Sequence, residues 1–484
     1  MLVNSFVFWL FFPIVLIVYY TILGKNKKAQ NIWLLVASYF FYGYVEIKMI
    51  PVILISTLLY YWMGLKIEKE NDINPKVASR YTTFGVVMGV GILFYFKYLN
   101  FCIDQFALLF EQLGLHTNIH SFNILMPLGV SYFTFKLISY LIEVHRGNIG
   151  ATKDLMAFGT YVAFFPTIMA GPIDRPNQFL PQLETNRVFK YDNVAEGCRR
   201  ILWGMFLKMC IADRISPYVD AVFQNYTHHN ATTIIVASFL ASIEMYADFC
   251  GYSDMAIGVG KMMGISIREN FNRPFFAQNI ADFWRRWHMS LTTWITDYIF
   301  KPLTIVFREW GMWGLHLATV LNLVIIGAWH GANWTYVVFG LYHGALMIIV
   351  ASLEKRRKKF EKKHALKDKW YYKYPRMALT FVFFTIGMVL FNATSVGEYF
   401  STWGQMFSVG FGPLFTEHLF KILTMAMPAL ILVLYKEYND ENKKSIHFLH
   451  SDKMWVRLFS FVIIMLYILT AAEFDGGAFI YYQF

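Results

Sequence analysis

Two histidines have surroundings that suit acid–base chemistry. His330 lies in an almost uncharged apolar stretch, between Gly327 and Gly331. Histidine exchanges protons near neutral pH, and flanking glycines let other groups approach the backbone closely. His288 follows Trp287 in the segment 284–291 (WRRWHMSL), on the aromatic face of its helical pattern. Each is a candidate base, and a packed, hydrogen-bonded structural histidine is the alternative for both.

The segment around His288 has the pattern of an amphipathic helix. Apolar and aromatic residues recur at helical spacing from Trp284 to Tyr298. Asp282 precedes Arg285 and Arg286 by three and four residues, the favourable order for ion pairs on a helix. The pattern predicts one helix with too many charges to span a membrane. It either lies in the interface or is buried among other helices with its arginines paired.

Three acidic residues stand in a further apolar stretch, Glu244, Asp248 and Asp254. Glu244 and Asp248 are one helical turn apart and share a face. They either line a water-filled cavity or pair with an arginine, and we favour the pairing. The candidate arginines are Arg268, Arg273 and Arg285.

Motifs for other chemistry are missing from the sequence. It contains no GxSxG elbow, no P-loop and no HExxH pair. Its four cysteines show no CxxC spacing, which favours buried free thiols over disulfides or zinc ligands. We therefore expect no bound metal or cofactor and no nucleotide hydrolysis.

Composition identifies the elements that must position these residues. Hydrophobic residues make up 57% of the 484-residue chain and charged residues 15%, against about 25% in soluble domains. This excludes a disordered chain, a nucleic-acid module and a soluble multidomain enzyme. We predict an all-α, polytopic membrane protein with about 11 transmembrane helices plus short interfacial or re-entrant helices. The apolar runs are 2–23, 31–46, 48–66, 80–100, 124–144, 155–172, 197–223, 231–260, 316–333, 334–352, 377–395, 413–435 and 455–472.

Charge in the connecting loops predicts the orientation. Residues 353–377 carry eleven basic and three acidic side chains, a net +8. Because apolar runs flank this loop, it indicates the cytoplasmic side of a membrane and not nucleic-acid binding. Lys25, Lys27 and Lys28 place the first loop on the same side. Both termini are therefore predicted to be extracytoplasmic.

Several ordered motifs resemble the membrane-bound O-acyltransferase (MBOAT) family, in the bacterial branch of alginate O-acetylation and teichoic acid D-alanyl transfer. They are 127–135 (PLGVSYFTF), 139–147 (SYLIEVHRG), 170–175 (AGPIDR), 248–258 (DFCGYSDMAIG), 269–274 (ENFNRP), 283–288 (FWRRWH), 327–334 (GAWHGANW) and 479–484 (FIYYQF). Residues 302–305 (PLTI) replace the Gly-Gly stretch of the alginate type, which leaves the acceptor polysaccharide open.

The resemblance implies one MBOAT domain over 1–484, a ring of tilted helices around a thin central layer. It implies that His330 is the catalytic histidine and His288 a supporting one. It also implies cytoplasmic acetyl-CoA as the acyl donor and a bacterial inner-membrane location. We assign substrate binding to Trp284, Trp287, Asn333 and Asp248.

The C-terminal tail, residues 473–484, carries the pattern Phe-x-Tyr-x-x-Phe at Phe479, Tyr481 and Phe484. It resembles a motif of this branch and of the small partner peptide of D-alanylation. We hypothesise that Tyr481 accepts acetyl as an aryl ester, with His330 as the base, and passes it to a partner. The partner would be an extracytoplasmic, SGNH-type polysaccharide O-acetyltransferase. An interfacial aromatic anchor is the alternative function of the tail.

The resulting prediction is a membrane O-acetyltransferase for an alginate-like exopolysaccharide or peptidoglycan, in contact with membrane lipid. One alternative is D-alanyl transfer from a carrier protein to teichoic acid. Another, of a different class, is a non-enzymatic lipid or polysaccharide transporter.

Overall fold

The structure, a computed structural model, describes residues 3–115, 121–122, 124–367, 369–444, 448–474, 477 and 479–480. Throughout these ranges the regular elements are helices, and no strand occurs. The predicted all-α class is therefore confirmed.

The chain forms two compact units. The first comprises Met1–Ile201 and Met255–Arg268, and the second Leu202–Asp254 and Glu269–Phe484. The α-helices of the first unit are Phe6–Ile17, Lys27–Glu46, Ile50–Ile73, Pro75–Leu93, Leu99–Gln112, Val130–His145, Leu155–Ala163 and Pro176–Leu183. Helices Tyr191–Leu207 and Ala231–Met262 contribute residues to both units. Those of the second are Asp213–Gln224, Ile280–Trp284, Met289–Ile295, Lys301–Val306, Gly311–His330, Trp334–Lys363, Trp370–Asn392, Val396–Val409, Leu419–Lys421, Met427–Glu441 and Met454–Ala471. That 1–484 is a single domain stays a prediction.

Eight helical segments of the described chain are long and apolar enough to cross a membrane. They are Lys27–Ile73, Pro75–Gln112, Ala231–Met262, Arg308–His330, Trp334–Lys363, Trp370–Asn392, Leu419–Glu441 and Met454–Ala471. The first of these contains two α-helices joined by the 3-10 turn Ile47–Met49, because Glu46 leaves the helical region with φ −148° and ψ 79°. The protein is thus a multi-pass membrane protein, and the predicted total of about 11 spans stays a prediction.

In the first unit, the motif 127–135 begins a helix that is buried in protein. Gly129 precedes helix Val130–His145 with φ 72°, and a Cβ there would stand 2.0 Å from the Ile168 carbonyl oxygen. Only glycine fits this position. The helix has 16 residues and nearly all are buried. The apolar run 124–144 is therefore explained by burial within the unit.

In the second unit, helices Gly311–His330 and Trp334–Lys363 form a tight hairpin. A Cβ on Gly327 would meet the Tyr336 carbonyl oxygen at 2.1 Å, and one on Gly340 would meet the Leu323 carbonyl oxygen at 2.5 Å. The two backbones therefore pass closer than side chains would allow. This crossing fixes the end of the first helix, where His330 lies.

Candidate active site

His330 is the last residue of helix Gly311–His330 and is buried. The turn that follows is sterically fixed, since a Cβ on Gly331 would stand 2.3 Å from the Tyr336 ring. Asn333 then caps the next helix by accepting from the Thr335 N–H at 3.0 Å. Its side-chain NH₂ donates to the Thr394 carbonyl at 2.9 Å. Asn333, predicted to bind substrate, thus holds the turn behind His330.

The His330 imidazole is surrounded by aromatic rings. Its ring centroid lies 5.0 Å from that of Trp329 and 5.1 Å from that of Phe391. Tyr336 follows at 6.4 Å. These rings form an apolar wall, in which electrostatic interactions are stronger than in water.

His288 lies between two short helices, Ile280–Trp284 and Met289–Ile295, with its backbone in the left-handed region at φ 42°. The prediction of one continuous helix is therefore wrong. Tertiary hydrogen bonds replace the helical ones, since Met289 N donates to the Asn270 carbonyl at 2.8 Å. Likewise, Asn272 N donates to the Arg286 carbonyl at 2.9 Å.

The Asn270 side chain orients the His288 ring. Its Oδ1 lies 3.2 Å from His288 Nδ1 and accepts from Ser290 N at 3.2 Å and Ser290 Oγ at 2.6 Å. Its Nδ2 donates to Ser253 Oγ at 3.1 Å. Because Oδ1 only accepts, Nδ1 carries the hydrogen and Nε2 the lone pair.

Burial in this apolar site lowers the pKa of His288 to about 3, because desolvation penalises the charged ring. The imidazole is therefore neutral at physiological pH.

The rings of His288 and His330 both pack against the indole of Trp329. The Trp329 ring lies 5.0 Å from His330 and 5.6 Å from His288, centroid to centroid. Residues 42 positions apart in the sequence thus flank one aromatic side chain. This arrangement can hold both imidazoles in fixed relation within a cluster of aromatic rings.

The predicted tryptophans extend the same cluster. Trp284 packs against Phe339 at 6.2 Å, and Phe339 packs against Phe391 at 4.9 Å. Trp287 stacks on Phe283 at 5.4 Å. Both indoles are buried. Trp284 thereby connects to His330 through two phenylalanines, while Trp287 packs on the His288 side.

The charges flanking these tryptophans are paired, and the Arg285 side chain is 72% exposed. Asp282 accepts from Arg286 at 3.3 Å and from Arg285 at 3.5 Å. Glu441 binds Arg286 through both carboxylate oxygens, at 3.0 and 3.1 Å, and Arg273 at 2.9 Å.

Asp248 has a different partner from the predicted arginines. Its carboxylate pairs with Lys208, and Lys208 Nζ also contacts Asp213 Oδ1 at 2.8 Å. All three side chains are buried. Sequence analysis missed Lys208 and Asp213, although a lysine and an aspartate within the apolar run 197–223 are a signal of their own.

Asp248 also holds the C-terminal tail. The Ile480 N–H donates to Asp248 Oδ2 at 2.9 Å. The Phe479 ring is buried, 4.6 Å from Lys208 Nζ and 4.6 Å from the Tyr252 ring centroid. Tyr481, the next residue, lies outside the described residues.

A third buried histidine was also missed. His343 packs 4.4 Å from Phe339 and 5.4 Å from Trp284, centroid to centroid. Its signal was the same as for His330, an imidazole within an apolar run. Among the described residues no group of three or more His, Cys, Asp or Glu side chains is arranged to hold a metal ion.

Comparison with known proteins adds to this geometry. The profile of the membrane-bound O-acyltransferase family matches residues 148–396. The chain is 36% identical over 411 residues to the probable alginate O-acetylase AlgI of Pseudomonas putida, covering 84% of this chain and 80% of that protein. It is 28% identical to the peptidoglycan O-acetyltransferase of Helicobacter pylori, covering 77% and 73%. Similarity to the teichoic acid D-alanyltransferase of Bacillus subtilis is 34% over 246 residues, covering 49% and 62%.

Proposed function

Because the chain belongs to the membrane-bound O-acyltransferase family, we propose that it moves acetyl from cytoplasmic acetyl-CoA across the membrane to O-acetylate an extracytoplasmic polysaccharide. Names of the relatives support an alginate-like polymer or peptidoglycan as the acceptor. The membership itself identifies the protein as an O-acyltransferase and removes the case for a non-enzymatic transporter.

The observation that carries the proposal is that one turn of helix Ala231–Met262 contacts both the tail and the surroundings of His288. Asp248 and Tyr252, one turn apart on helix Ala231–Met262, contact Ile480 and Phe479. The residues that follow them, Phe249 and Ser253, contact the surroundings of His288. Phe249 packs on the His288 ring at 4.6 Å, and Ser253 accepts from Asn270. Residues i and i+4 share a helix face, so two adjacent faces of one turn hold the tail and the histidine.

In the proposed reaction Tyr481 is the first acceptor. A free phenol has a pKa of about 10 and needs a base at neutral pH. His330 takes the phenolic proton while the phenolate oxygen attacks the thioester carbonyl. The new C–O bond forms, the C–S bond breaks, and the proton passes to the departing CoA thiolate.

His288 is assigned a supporting task in this reaction. Its neutral ring packs on Trp329, the indole that also contacts His330. Asn270 fixes its tautomer. His288 thereby helps to hold the base in place and adds no positive charge to the site.

The second step requires a partner. The acetyl-tyrosine is an aryl ester, less activated than a thioester and more than an alkyl ester. An SGNH-type O-acetyltransferase outside the cell would accept the acetyl group and transfer it to a sugar hydroxyl. This proposal requires an inner-membrane location with the C-terminus outside.

Transfer of D-alanyl from a carrier protein is the second candidate. The similarity to the Bacillus subtilis D-alanyltransferase favours it. The tail argues for acetyl transfer, because here the Phe-x-Tyr-x-x-Phe element is part of the chain itself.

Mass spectrometry of the C-terminal peptide after incubation with acetyl-CoA tests the proposal. We expect one acetyl group on Tyr481, absent in His330→Ala and Tyr481→Phe. Tyr482→Phe removes the neighbouring phenol and serves as the matched control, which should be acetylated like the wild type. Activity without tail acetylation would refute the shuttle, and labelling only from a carrier-bound D-alanyl group would favour the second candidate.

A further inference from the structure

The tail is attached to the segment 208–214 at two separate points. The first is Arg214, whose Nε donates to the Ala471 carbonyl at 2.7 Å and Nη2 to the Ala472 carbonyl at 2.8 Å. Its Nη1 contacts Glu473 Oε2 at 2.6 Å. The Glu473 N–H in turn donates to the Met209 carbonyl at 3.0 Å. A planar guanidinium with several fixed donors thus binds the end of helix Met454–Ala471 and the first residue of the tail.

The second point is Lys208 with its two carboxylates. The ammonium lies over the Phe479 ring, a cation–π contact at 4.6 Å. Asp248 pairs with the ammonium through Oδ1 and presents Oδ2 to the Ile480 N–H. The end of the described tail is therefore held by one backbone hydrogen bond and one buried ring.

Between these points the structure describes two residues, Phe474 and Gly477, and both are exposed. Phe474 is 61% exposed, and a Cβ on Gly477 would meet no atom within 4 Å. The contacts described for the tail therefore lie at its two ends, at Glu473 and at Phe479 with Ile480.

Burying an ammonium between two carboxylates carries a large desolvation cost that apolar residues would avoid. Lys208 and Asp248 each make a contact with the tail in addition to their ion pair.

We infer that the segment 208–214 is a two-point clamp for the C-terminal tail, and that Lys208 and Arg214 are positioning residues for Tyr481. The inference rests on the proposed function, because it assigns the clamp the task of presenting the phenol. Covalent geometry keeps the Tyr481 Cα within about 3.8 Å of the Ile480 Cα. A clamp on Ile480 therefore restricts where the phenol can be.

Spin labelling tests the clamp without any chemistry. The label is placed on Gly477→Cys, after Cys102 and Cys198 are replaced by serine, since the other two cysteines are buried. We expect Phe479→Ala and Arg214→Gln to shorten the rotational correlation time of the label at least twofold. Phe474→Ala is the matched control, because it removes an exposed ring of the same tail.

Acetylation of Tyr481 gives the second readout. Phe479→Ala should lower its rate at least tenfold with the KM for acetyl-CoA unchanged, while Phe474→Ala stays within twofold of the wild type. The thermal unfolding temperature of each variant checks that it is folded. Phe479→Ala lies in the tail, so it remains informative if Lys208 variants fail to fold.

The outcomes separate the clamp from the proposed function. A more mobile label in Phe479→Ala and Arg214→Gln, together with no acetylation of Tyr481 in the wild type, would support the clamp and refute the shuttle. An immobile label in Phe479→Ala and Arg214→Gln, with Tyr481 acetylated as in the wild type, would overturn the clamp and leave the shuttle standing.

Discussion

Replacing Asn270 with aspartate would place a negative charge beside the proton of His288. The amide oxygen that becomes a carboxylate oxygen lies 3.2 Å from Nδ1. In the wild type this ring is neutral, with a pKa lowered to about 3 by burial. The substitution preserves the size of the side chain and changes mainly its charge.

The magnitude follows from Coulomb's law. At about 3.2 Å and an effective dielectric constant of about 20, the attraction is about 5 kcal/mol. Dividing by about 1.4 kcal/mol per pKa unit gives a rise of between about three and four units. The pKa of His288 should therefore move to about 6–7. The hydrogen bond to Ser253 is kept with its direction reversed, because the serine hydroxyl can donate to the new carboxylate oxygen.

The assay is the rate of Tyr481 acetylation between pH 5.5 and pH 8, relative to the wild type. At pH 8 Asn270→Asp leaves His288 neutral, so the rate should stay within a few-fold of the wild type. At pH 5.5, about one pH unit below the new pKa, only about one ring in ten is neutral. The relative rate should then fall about tenfold.

Ser290→Ala is the matched control. It removes another hydrogen bond to the same Asn270 oxygen without adding charge. Its pH profile should parallel that of the wild type. A constant ratio of Asn270→Asp to wild type from pH 5.5 to pH 8 would refute the requirement for a neutral His288.

Three further predictions concern the pH dependence of stability, the turn that follows His330 and the buried ion pairs of Lys208. The pKa of His288 is lower in the folded protein than the usual 6.5. Below pH 6.5 the unfolded state therefore takes up a proton that the folded state does not, and the free energy of unfolding falls with the pH. The difference in unfolding free energy between the wild type and His288→Gln should shrink by about 2 kcal/mol between pH 6.5 and pH 5, and a constant difference over that range would contradict the buried neutral ring. Gly331→Ala would place a Cβ 2.3 Å from a tyrosine ring and should lower activity at least tenfold, whereas Gly404→Ala, which meets no atom within 4 Å, should match the wild type. Lys208→Met leaves two buried carboxylates without their ammonium and should lower the free energy of unfolding by about 3–5 kcal/mol, a result that unchanged unfolding curves would disprove.

Much of the candidate site could be predicted because its signals are local. A histidine between glycines in an uncharged run can be recognised without knowledge of the fold. His330 is such a residue, and it lies at a buried helix end. The order of Asp282 before Arg285 and Arg286 predicted pairs that the structure contains. The glycines around His330 were expected to allow close approach, and Tyr336 makes that approach.

Other features depended on distant parts of the chain. Helical periodicity continues through His288, yet Asn270 supplies hydrogen bonds that break the helix there. Charge alone suggested an arginine for Asp248, while helix packing supplied Lys208 from 40 residues away. Spacing rules relate only residues that are close in the sequence, so they cannot identify partners that tertiary packing brings together.

The sequence by itself determined the all-helical membrane class and the family, because composition and short motifs are properties of neighbouring residues. Only the tertiary structure decided that both imidazoles flank Trp329 and that one turn of helix holds His288 and the tail on adjacent faces. The physical reason is that these contacts join segments far apart in the chain. Their partners are selected by packing and by the cost of burying unpaired polar groups.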